Sequence, residues 1–310
     1  MSSIFEEMQS LKEMHNVISN QLLNKKVAYI DIPTHYNTGD LLIYLGTEAF
    51  IKNHDVNVVY RALQRSVNHK KMVECDVIMV HGGGNFGDIY IKEHRIREGI
   101  LKKYTDKEIV FLPQSIHFDS NLELKKTVDF LKGFKNVTFY TRDIESFNTA
   151  KLICDNVVMM PDMAHSLHPL IEESELVDIN KLQKKILNLV RKDKEFVIKE
   201  RKVHKLSFDW SDLCSPVDIL LMKVINFMGI FHRLDKLKMN VWNMQVNLNV
   251  KTAIDKVYMH DVVYTDRLHG FILSYLLGKE IVMYDNSYGK INKYVTNWIA
   301  KSETIKNENE

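Results

Sequence analysis

The feature that most constrains the fold is a regular alternation of short apolar segments and longer helical segments through the first half of the chain. The pattern predicts strands at residues 26–32, 56–60, 77–81, 108–112, 137–140 and 157–160, with helices at 41–53, 93–104, 122–133 and 144–153. Strands that alternate with helices form right-handed βαβ units around a parallel sheet. We therefore expect an α/β fold whose first domain, residues 1–165, is Rossmann-like.

The second half of the chain resumes this pattern after a change in composition. Residues 172–178 are acidic and residues 181–205 are rich in lysine and arginine, which is typical of a linker and a solvated helix face. Strands are predicted at 195–199 and 280–284, and a last helix at about 294–300. Residues 166–310 should therefore form a second Rossmann-like domain, with the active-site cleft between the two domains.

The composition excludes several classes of protein. With 42 basic and 40 acidic residues among 310, the net charge of +2 gives no case for a nucleic-acid partner. Three widely spaced cysteines indicate a reducing compartment rather than a disulfide framework. The N-terminal segment is charged, and no run of about 18 apolar residues occurs, so we expect neither a signal peptide nor a membrane span. These features indicate a soluble, cytoplasmic protein.

One apolar segment, residues 216–240, is predicted to be a helix and allows two interpretations. Its apolar residues are flanked or interrupted by Lys223, Arg233, Lys236 and Lys238. Such a helix can lie in the interface of an anionic membrane, which would place the protein peripherally at the inner face of that membrane. Alternatively, it packs on the second domain.

The segment from Asp261 to Leu276 is the strongest candidate for a binding site. It begins with a short apolar strand, after which Asp266 has the chemistry of a helix N-cap. Arg267 and His269 would then lie in the first helical turn, where free backbone N–H groups and the helix dipole favour an anion. Alternatively, Arg267 pairs with Asp266 or Asp261 and His269 is a buried structural histidine.

Two glycine-containing loops follow strands of the first domain. After the first strand, Asn37 and Gly39 form a turn that allows close approach of a ligand, and Asp40 is expected to cap the next helix. After the third strand comes HGGGNFGD, residues 81–88, whose consecutive glycines suggest a close backbone approach. The segment fits G-x-G-x-x-G literally but follows the wrong strand for a dinucleotide site, and no G-x-S-x-G motif supports a lipase.

Polar residues also follow the next three strands, at Gln114, Arg142 and Asp162. Their recurrence at one edge of the sheet indicates a ligand-binding edge. Arg142 is a candidate anion ligand, or else it pairs with Asp143 or Glu145. Asp162 could be combined with two histidines as metal ligands (His165 and His168), but the flanking prolines indicate a loop and we predict no metal.

Together these segments resemble the polysaccharide pyruvyl transferase family, and most closely its members encoded with bacterial exopolysaccharide genes. The matching segments are YNTGD (36–40), HGGGNFGD (81–88), LPQSIHF (112–118), TRDIES (141–146), DMAH (162–165), TDRLHG (265–270) and NSYGK (286–290). The resemblance covers most of the chain and is weakest over residues 170–256.

The resemblance implies two Rossmann-like domains similar to GT-B glycosyltransferases. It also implies transfer of a pyruvyl group from phosphoenolpyruvate to two hydroxyls of a sugar, as a ketal, with no cofactor. The sugar would belong to an exopolysaccharide or to its lipid-linked precursor. By the same resemblance Arg267, His269 and Arg142 contact the donor.

Each candidate residue can be assigned a role in that reaction. His269 is the candidate general acid, Arg267 and Arg142 hold the anionic groups, and Asp40 or Asp88 accepts the hydroxyl proton. The remaining candidates would line the cleft; they are Asn37, Gly39, His81, Gly82, Gly83, Gly84, Asn85 and Gln114. Two rival functions are a glycosyltransferase that uses a nucleotide sugar and a non-catalytic scaffold of envelope polysaccharide assembly.

Overall fold

Helices and strands alternate along most of the chain. The computed structural model describes residues 3–64, 66–176, 183–192, 207–228, 231–284, 290–300 and 302–307. The first half contains α1 Ile4–Glu13, α2 Asn16–Leu22, β1 Val27–Ile32, α3 Thr38–Asn53, β2 Val58–Leu63, α4 His69–Val73, β3 Val77–Val80, β4 Gly83–Gly87, α5 Ile91–Leu101, β5 Glu108–His117, α6 Asn121–Leu131, β6 Asn136–Thr141, α7 Ile144–Ile153 and β7 Asn156–Met159. The second half contains β8 Ile186–Leu189, β9 Ser207–Phe208, α8 Pro216–Phe227, α9 Asp235–Tyr258, β10 Val262–Thr265, α10 Leu268–Leu276, β11 Glu280–Met283, α11 Lys290–Trp298 and β12 Ile305–Asn307.

The strands form two parallel sheets, which confirms the predicted α/β class. The first sheet has the order β2-β1-β3-β5-β6-β7, with β4 paired to β5, and the second has the order β12-β11-β10-β8-β9. In each sheet the first strand lies between the second and the third, so the direction of strand addition reverses beside it. Ligands of open α/β sheets bind outside the carboxyl ends of the strands at such a point. Two sheets of this kind fit a two-domain arrangement.

Side chains of β1 alternate between two hydrophobic cores, because successive residues of a strand point to opposite faces. Val27 and Tyr29 belong to a core that also contains Leu187 and Val263 of the second sheet, and we call it the shared core. Helices α1, α2, α3, α9 and α10 contribute to it. Ala28 and the other side chains of the opposite face pack on α4 to α7. The central strands of the first sheet are therefore covered on both faces, which explains why β1 and β3 are mainly apolar.

The glycine-rich segment is a strand rather than only a loop. Strand β5 continues five residues beyond the predicted end, and its second half pairs with β4, from Gly83 opposite Gln114 to Gly87 opposite His117. Pro113 lies in the irregular stretch of the β5–β6 pairing, between Phe111 and Gln114, a position that suits a residue without a backbone N–H.

The prediction of one helix over residues 216–240 is wrong. Helix α8 ends at Phe227, and a separate helix, α9, begins at Asp235 and continues to Tyr258. Apolar residues of α9 fall at nearly every second position between Met239 and Val250, which is the period of a strand and hides the helix from pattern reasoning. None of the described helices is long and apolar enough to cross a bilayer.

Two predicted helix caps are also wrong. Asn37, not Asp40, caps α3, because its side chain accepts a hydrogen bond from the Gly39 N–H. Arg267 occupies the N-cap position of α10, while Asp266 instead accepts a hydrogen bond from the backbone N–H of Arg191. The strand predicted at 195–199 and residues 286–289 of the NSYGK segment lie outside the described residues.

Candidate active site

A cavity of about 700 Å³ lies at the carboxyl ends of strands from both sheets. From the segments that follow strands of the first sheet it is lined by Thr34, His35, Asn37, Gly39, Asp40, Gln64, Gly84, Asn85, Tyr90, Glu93 and Arg142. From the second half of the chain it is lined by Arg191, Trp210, Met222, Asn226, Arg267, Leu268 and His269. The cavity therefore brings together eight of the residues predicted from the sequence: Asn37, Gly39, Asp40, Gly84, Asn85, Arg142, Arg267 and His269.

A buried carboxylate behind the wall of this cavity links the two sheets. Asp162 Oδ2 lies 2.5 Å from Arg142 Nη1 and 3.3 Å from His269 Nε2. Its backbone N–H donates to the hydroxyl of Tyr294 at 2.9 Å. Burial alone would raise the pKa of Asp162, but the charges of His269 and Arg142 outweigh it and hold that pKa well below its usual range. Asp162 is thus a permanent anion that fixes an arginine of one sheet and a histidine of the other.

Helix α3 contacts His269 from the other side. A Cβ on Gly39 would lie 2.7 Å from His269 Nδ1, so glycine at this position lets the first turn of the helix approach the imidazole ring. In the same way, a Cβ on Gly84 would lie 2.9 Å from Arg142 Nη2. The backbone at these two glycines therefore does come close to another group, as predicted, and that group is a side chain of the site.

Arg267 is held by a carboxylate that the sequence did not suggest. Its Nε lies 2.6 Å from Asp209 Oδ1, and its Nη2 donates to Asp209 Oδ2 at 2.8 Å. Neither Asp261 nor Asp266 takes this role. Asp209 is almost fully buried and lies behind the cavity wall, so it orients the planar guanidinium in a bidentate pair.

Asp40 lies in the first turn of α3 and is bound by two neighbours. His35 Nε2 lies 2.7 Å from Asp40 Oδ2, and the Asn37 amide donates to the same oxygen at 2.9 Å. Burial would raise the pKa of Asp40, but the hydrogen bond and charge of His35 lower it to about 2. A carboxyl group with so low a pKa is a weak proton acceptor at neutral pH.

Five predicted site residues do not line the cavity: His81, Gly82, Gly83, Asp88 and Gln114. His81 is buried behind it, where Nδ1 meets the hydroxyl of Tyr29 at 2.6 Å and burial lowers its pKa to about 3. Gln114 donates to the carbonyl oxygen of His81 at 2.6 Å. The carboxylate of Asp88 accepts hydrogen bonds from the backbone N–H groups of residues 119 and 120, so it stabilises a turn.

Arg142 and Asp162 pair with each other, which decides against the alternative ion pairs of Arg142 and against Asp162 as a metal ligand. Arg142 pairs with Asp162 and with the Ser115 hydroxyl, not with Asp143 or Glu145. His165 meets the Tyr294 hydroxyl at 2.9 Å rather than facing a common centre with Asp162. Within the described ranges, no group of three histidine, cysteine or acidic side chains is arranged to hold a metal ion.

Comparison with known proteins identifies the family. A model of the family described as polysaccharide pyruvyl transferase matches residues 37–288, which is most of the chain. The chain belongs to the polysaccharide pyruvyl transferase family. The match extends from the N-cap of α3 to beyond β11, so it contains every cavity-lining residue of this site except Thr34 and His35.

Named relatives agree with this family assignment. The chain is 34% identical to the putative pyruvyl transferase EpsO of Bacillus subtilis, over 94% of this chain and 90% of that protein. It is 27% identical to pyruvyl transferase 1 of Schizosaccharomyces pombe, over 89% of this chain and 70% of that protein. The crystal structure of a functionally uncharacterised protein from Klebsiella pneumoniae has the same fold, with a TM-score of 0.59, 20% identity and 99% coverage of both chains.

Several residues of the cavity were missed by sequence reasoning. Trp210 on the cavity wall and Asp209 behind it lie in a region without a recognisable motif, where no pattern distinguishes Asp209 from the nearby Asp212. His35 stands two residues from Asn37 in a loop that had already been singled out. Its polar side chain, three residues beyond the end of β1, was a signal from which it could have been identified.

Proposed function

We propose that this member of the family transfers a pyruvyl group from phosphoenolpyruvate to two hydroxyls of an exopolysaccharide sugar or of its lipid-linked precursor. The observation that carries the proposal is the meeting of Arg142, Arg267 and His269 on the wall of one cavity. Phosphoenolpyruvate carries a carboxylate and a phosphate, and guanidinium groups bind both kinds of oxygen in pairs. The carboxylates that orient these cations are buried behind the wall, so the surface offered to the donor is cationic.

We further propose that residues 1–165 and 166–310 form two domains arranged as in GT-B enzymes, and that this cavity is the cleft between them. Support comes from the shared strand order of the two sheets and from the position of the cavity at the carboxyl ends of both. The first turn of α10, which no side chain caps, adds a further anion-binding element beside Arg267. No cofactor is needed, because phosphoenolpyruvate itself carries the activated group.

The chemistry assigned to these residues balances without an oxidant. The first hydroxyl oxygen bonds to the central carbon of phosphoenolpyruvate, its proton leaves to a base, and His269 delivers a proton to the methylene carbon, which becomes the methyl group. The second hydroxyl then bonds to the same carbon, loses its proton, and displaces phosphate. Arg142 and Arg267 stabilise the charge that develops on the departing phosphate.

We also propose that the protein contacts the inner face of an anionic membrane from the cytoplasm through α8. Val217, Leu220, Val224 and Phe227 recur at helical spacing and are 72%, 61%, 45% and 69% exposed. One side of α8 packs on α9, and the same helix supplies Met222 and Asn226 to the cavity. A membrane surface at α8 would therefore present a lipid-linked acceptor to the active site.

Calorimetric titration with phosphoenolpyruvate tests the donor assignment. We expect saturable binding to the wild type and at least about 10-fold weaker binding to Arg267→Ala, since a charged hydrogen-bond pair contributes about 1.5–3 kcal/mol. Binding of a nucleotide sugar instead would identify a glycosyltransferase. Normal pyruvylation in cells that carry His269→Ala would indicate a scaffold and refute the proposal.

Vesicle sedimentation tests the membrane contact. We expect binding to phosphatidylcholine vesicles that contain phosphatidylglycerol, and loss of that binding in Leu220→Glu. Leu152→Glu is the matched control, because Leu152 on α7 is 62% exposed and far from α8 in sequence. Equal effects of the two substitutions would contradict the assignment of this surface.

A further inference from the structure

His35 is a half-exposed histidine on the cavity wall, hydrogen-bonded to a carboxylate on its inner side. Its Nε2 lies 2.7 Å from Asp40 Oδ2, while 43% of its side chain is exposed. A carboxylate that accepts from Nε2–H fixes the tautomer in which Nδ1 carries a lone pair. A histidine on a cavity wall that is oriented by a neighbouring carboxylate is an arrangement used to activate hydroxyl groups.

The charged groups around His35 favour its protonated form once it has taken a proton. Asp40 on α3, Asp31 on β1 and Glu93 on α5 all act on it. Burial alone would lower the pKa of His35, but the hydrogen bond and charge of Asp40 outweigh this and raise it. Asp40 itself remains ionised, so it stabilises an imidazolium without competing for the proton.

A second ion pair, between Asp31 and Arg97, orients another residue of the cavity wall, Asn85. Asp31 has a φ of 63°, a strained conformation for a residue with a side chain, and it is held by Arg97 at 2.6 Å. Arg97 also donates to Asn85 Oδ1 at 2.9 Å. That bond orients the amide of the cavity-lining Asn85, whose NH₂ group is then available to donate to a sugar hydroxyl.

The cavity lining thus combines two kinds of chemistry. Arg142, Arg267 and His269 suit the anionic donor, and the hydrogen-bonding groups around His35 suit a hydroxyl group. We infer that His35 is the catalytic base that accepts the proton of the acceptor hydroxyl, with Asp40 as its positioning residue. This inference rests on the function proposed above and replaces Asp40 and Asp88 as the proton acceptor.

The proton transfers in this scheme are balanced. Each acceptor hydroxyl gives its proton to His35 Nδ1 as its oxygen bonds to the central carbon of the donor. In the first step His269 supplies the proton that the methylene carbon gains, and in the second the carbon–oxygen bond to phosphate breaks. His35 returns its protons to solvent through the exposed side of the ring, and no electron is gained or lost overall.

The test compares His35→Gln with His117→Gln. His117 is matched closely, since its Nε2 lies 2.9 Å from Asp119 Oδ1 and 44% of it is exposed, yet it does not line the cavity. An extract of source cells that lack this protein supplies the unpyruvylated acceptor, whether or not it is lipid-linked. The rate of label transfer from radioactive phosphoenolpyruvate into that extract is measured together with calorimetric binding of phosphoenolpyruvate.

We expect His35→Gln to lower the transfer rate about 10²–10⁴-fold while binding phosphoenolpyruvate like the wild type, and His117→Gln to change neither. The fall in kcat/KM on acidification should disappear in His35→Gln. In Asp40→Asn it should move to lower pH, because the charge that raises the pKa of His35 is removed.

Two results would overturn the inference: wild-type transfer by His35→Gln, or loss of donor binding in that variant. The proposed function fails in a different way, because then the wild type itself neither binds phosphoenolpyruvate nor transfers label.

Discussion

Replacement of Asp162 by asparagine should destabilise the protein strongly, because one buried carboxylate holds charges from both sheets. Asp162 is fully buried and Arg142 is 4% exposed, so the variant leaves a buried guanidinium without its counter-ion. Removing one partner of a buried ion pair costs about 3–5 kcal/mol. We expect the free energy of unfolding at pH 7 to fall by that amount in Asp162→Asn, measured from urea denaturation.

The control is Asp129→Asn, in which the same chemical change is made in an exposed pair. Asp129 lies 3.5 Å from Lys132, and the two side chains are 57% and 67% exposed. Such a pair contributes below about 0.5 kcal/mol. If Asp162→Asn were no more destabilising than Asp129→Asn, the reasoning about the buried pair would be refuted.

The pH dependence of this difference has a definite sign. The pKa of Asp162 is held well below its unfolded value of about 3.9, so its contribution is fully present above that pH. It is lost as the pH falls through the lower folded value. The part of the stability difference between the wild type and Asp162→Asn that comes from ionisation of this carboxyl should therefore be present in full at pH 5 and above, and shrink only below about pH 4.

Further predictions concern three glycines and a buried histidine. Gly46→Ala should lower the free energy of unfolding by about 3 kcal/mol or more, because the new Cβ would lie 2.1 Å from a backbone oxygen. Gly99→Ala, whose Cβ would have no atom within 4 Å, should raise the free energy of unfolding by about 0.5–1 kcal/mol, and urea denaturation measures both effects. Gly39→Ala should lower kcat about 100-fold with little change in Tm, because the new methyl group displaces the ring of His269, and an unchanged kcat would contradict this. Burial lowers the pKa of His15 to about 4, so stability should fall by up to about 3 kcal/mol between pH 6.5 and pH 4, and His15→Gln should flatten that fall in a pH series of melting curves.

Sequence reasoning predicted the fold best where hydrophobic periodicity is unambiguous. The central strands of the first sheet are mainly apolar because both faces are covered, and the ends of the predicted strands were correct to within a few residues except for β5. Helix α9 was missed because its buried positions, such as Trp242, are interleaved with polar residues at the period of a strand. The cap of α3 was assigned to the wrong residue because Asn37 and Asp40 are equally suited to the position by chemistry alone.

The sequence predicted which loops form the candidate site, but not which side chains form ion pairs within it. Polar residues after successive strands indicated where Arg142, Arg267 and His269 would meet. Their partners Asp162 and Asp209 could not be assigned, because an ion pair between residues 20 or 58 positions apart depends on how the strands are ordered in the sheets. That order follows from packing, which no local pattern encodes.

The shared core has a consequence for how substrates enter and leave. Many enzymes built from two α/β units open by a hinge motion that swings one unit away from the other. Here α3 lies against both α9 and α10, and Thr38 donates to Asn249 across this contact at 3.0 Å. Swinging the sheets apart would expose continuous apolar surface at a cost of about 25 cal/mol per Å². Substrate exchange in this protein should therefore proceed through movements of loops and side chains at the mouth of the cavity, with the two sheets staying together.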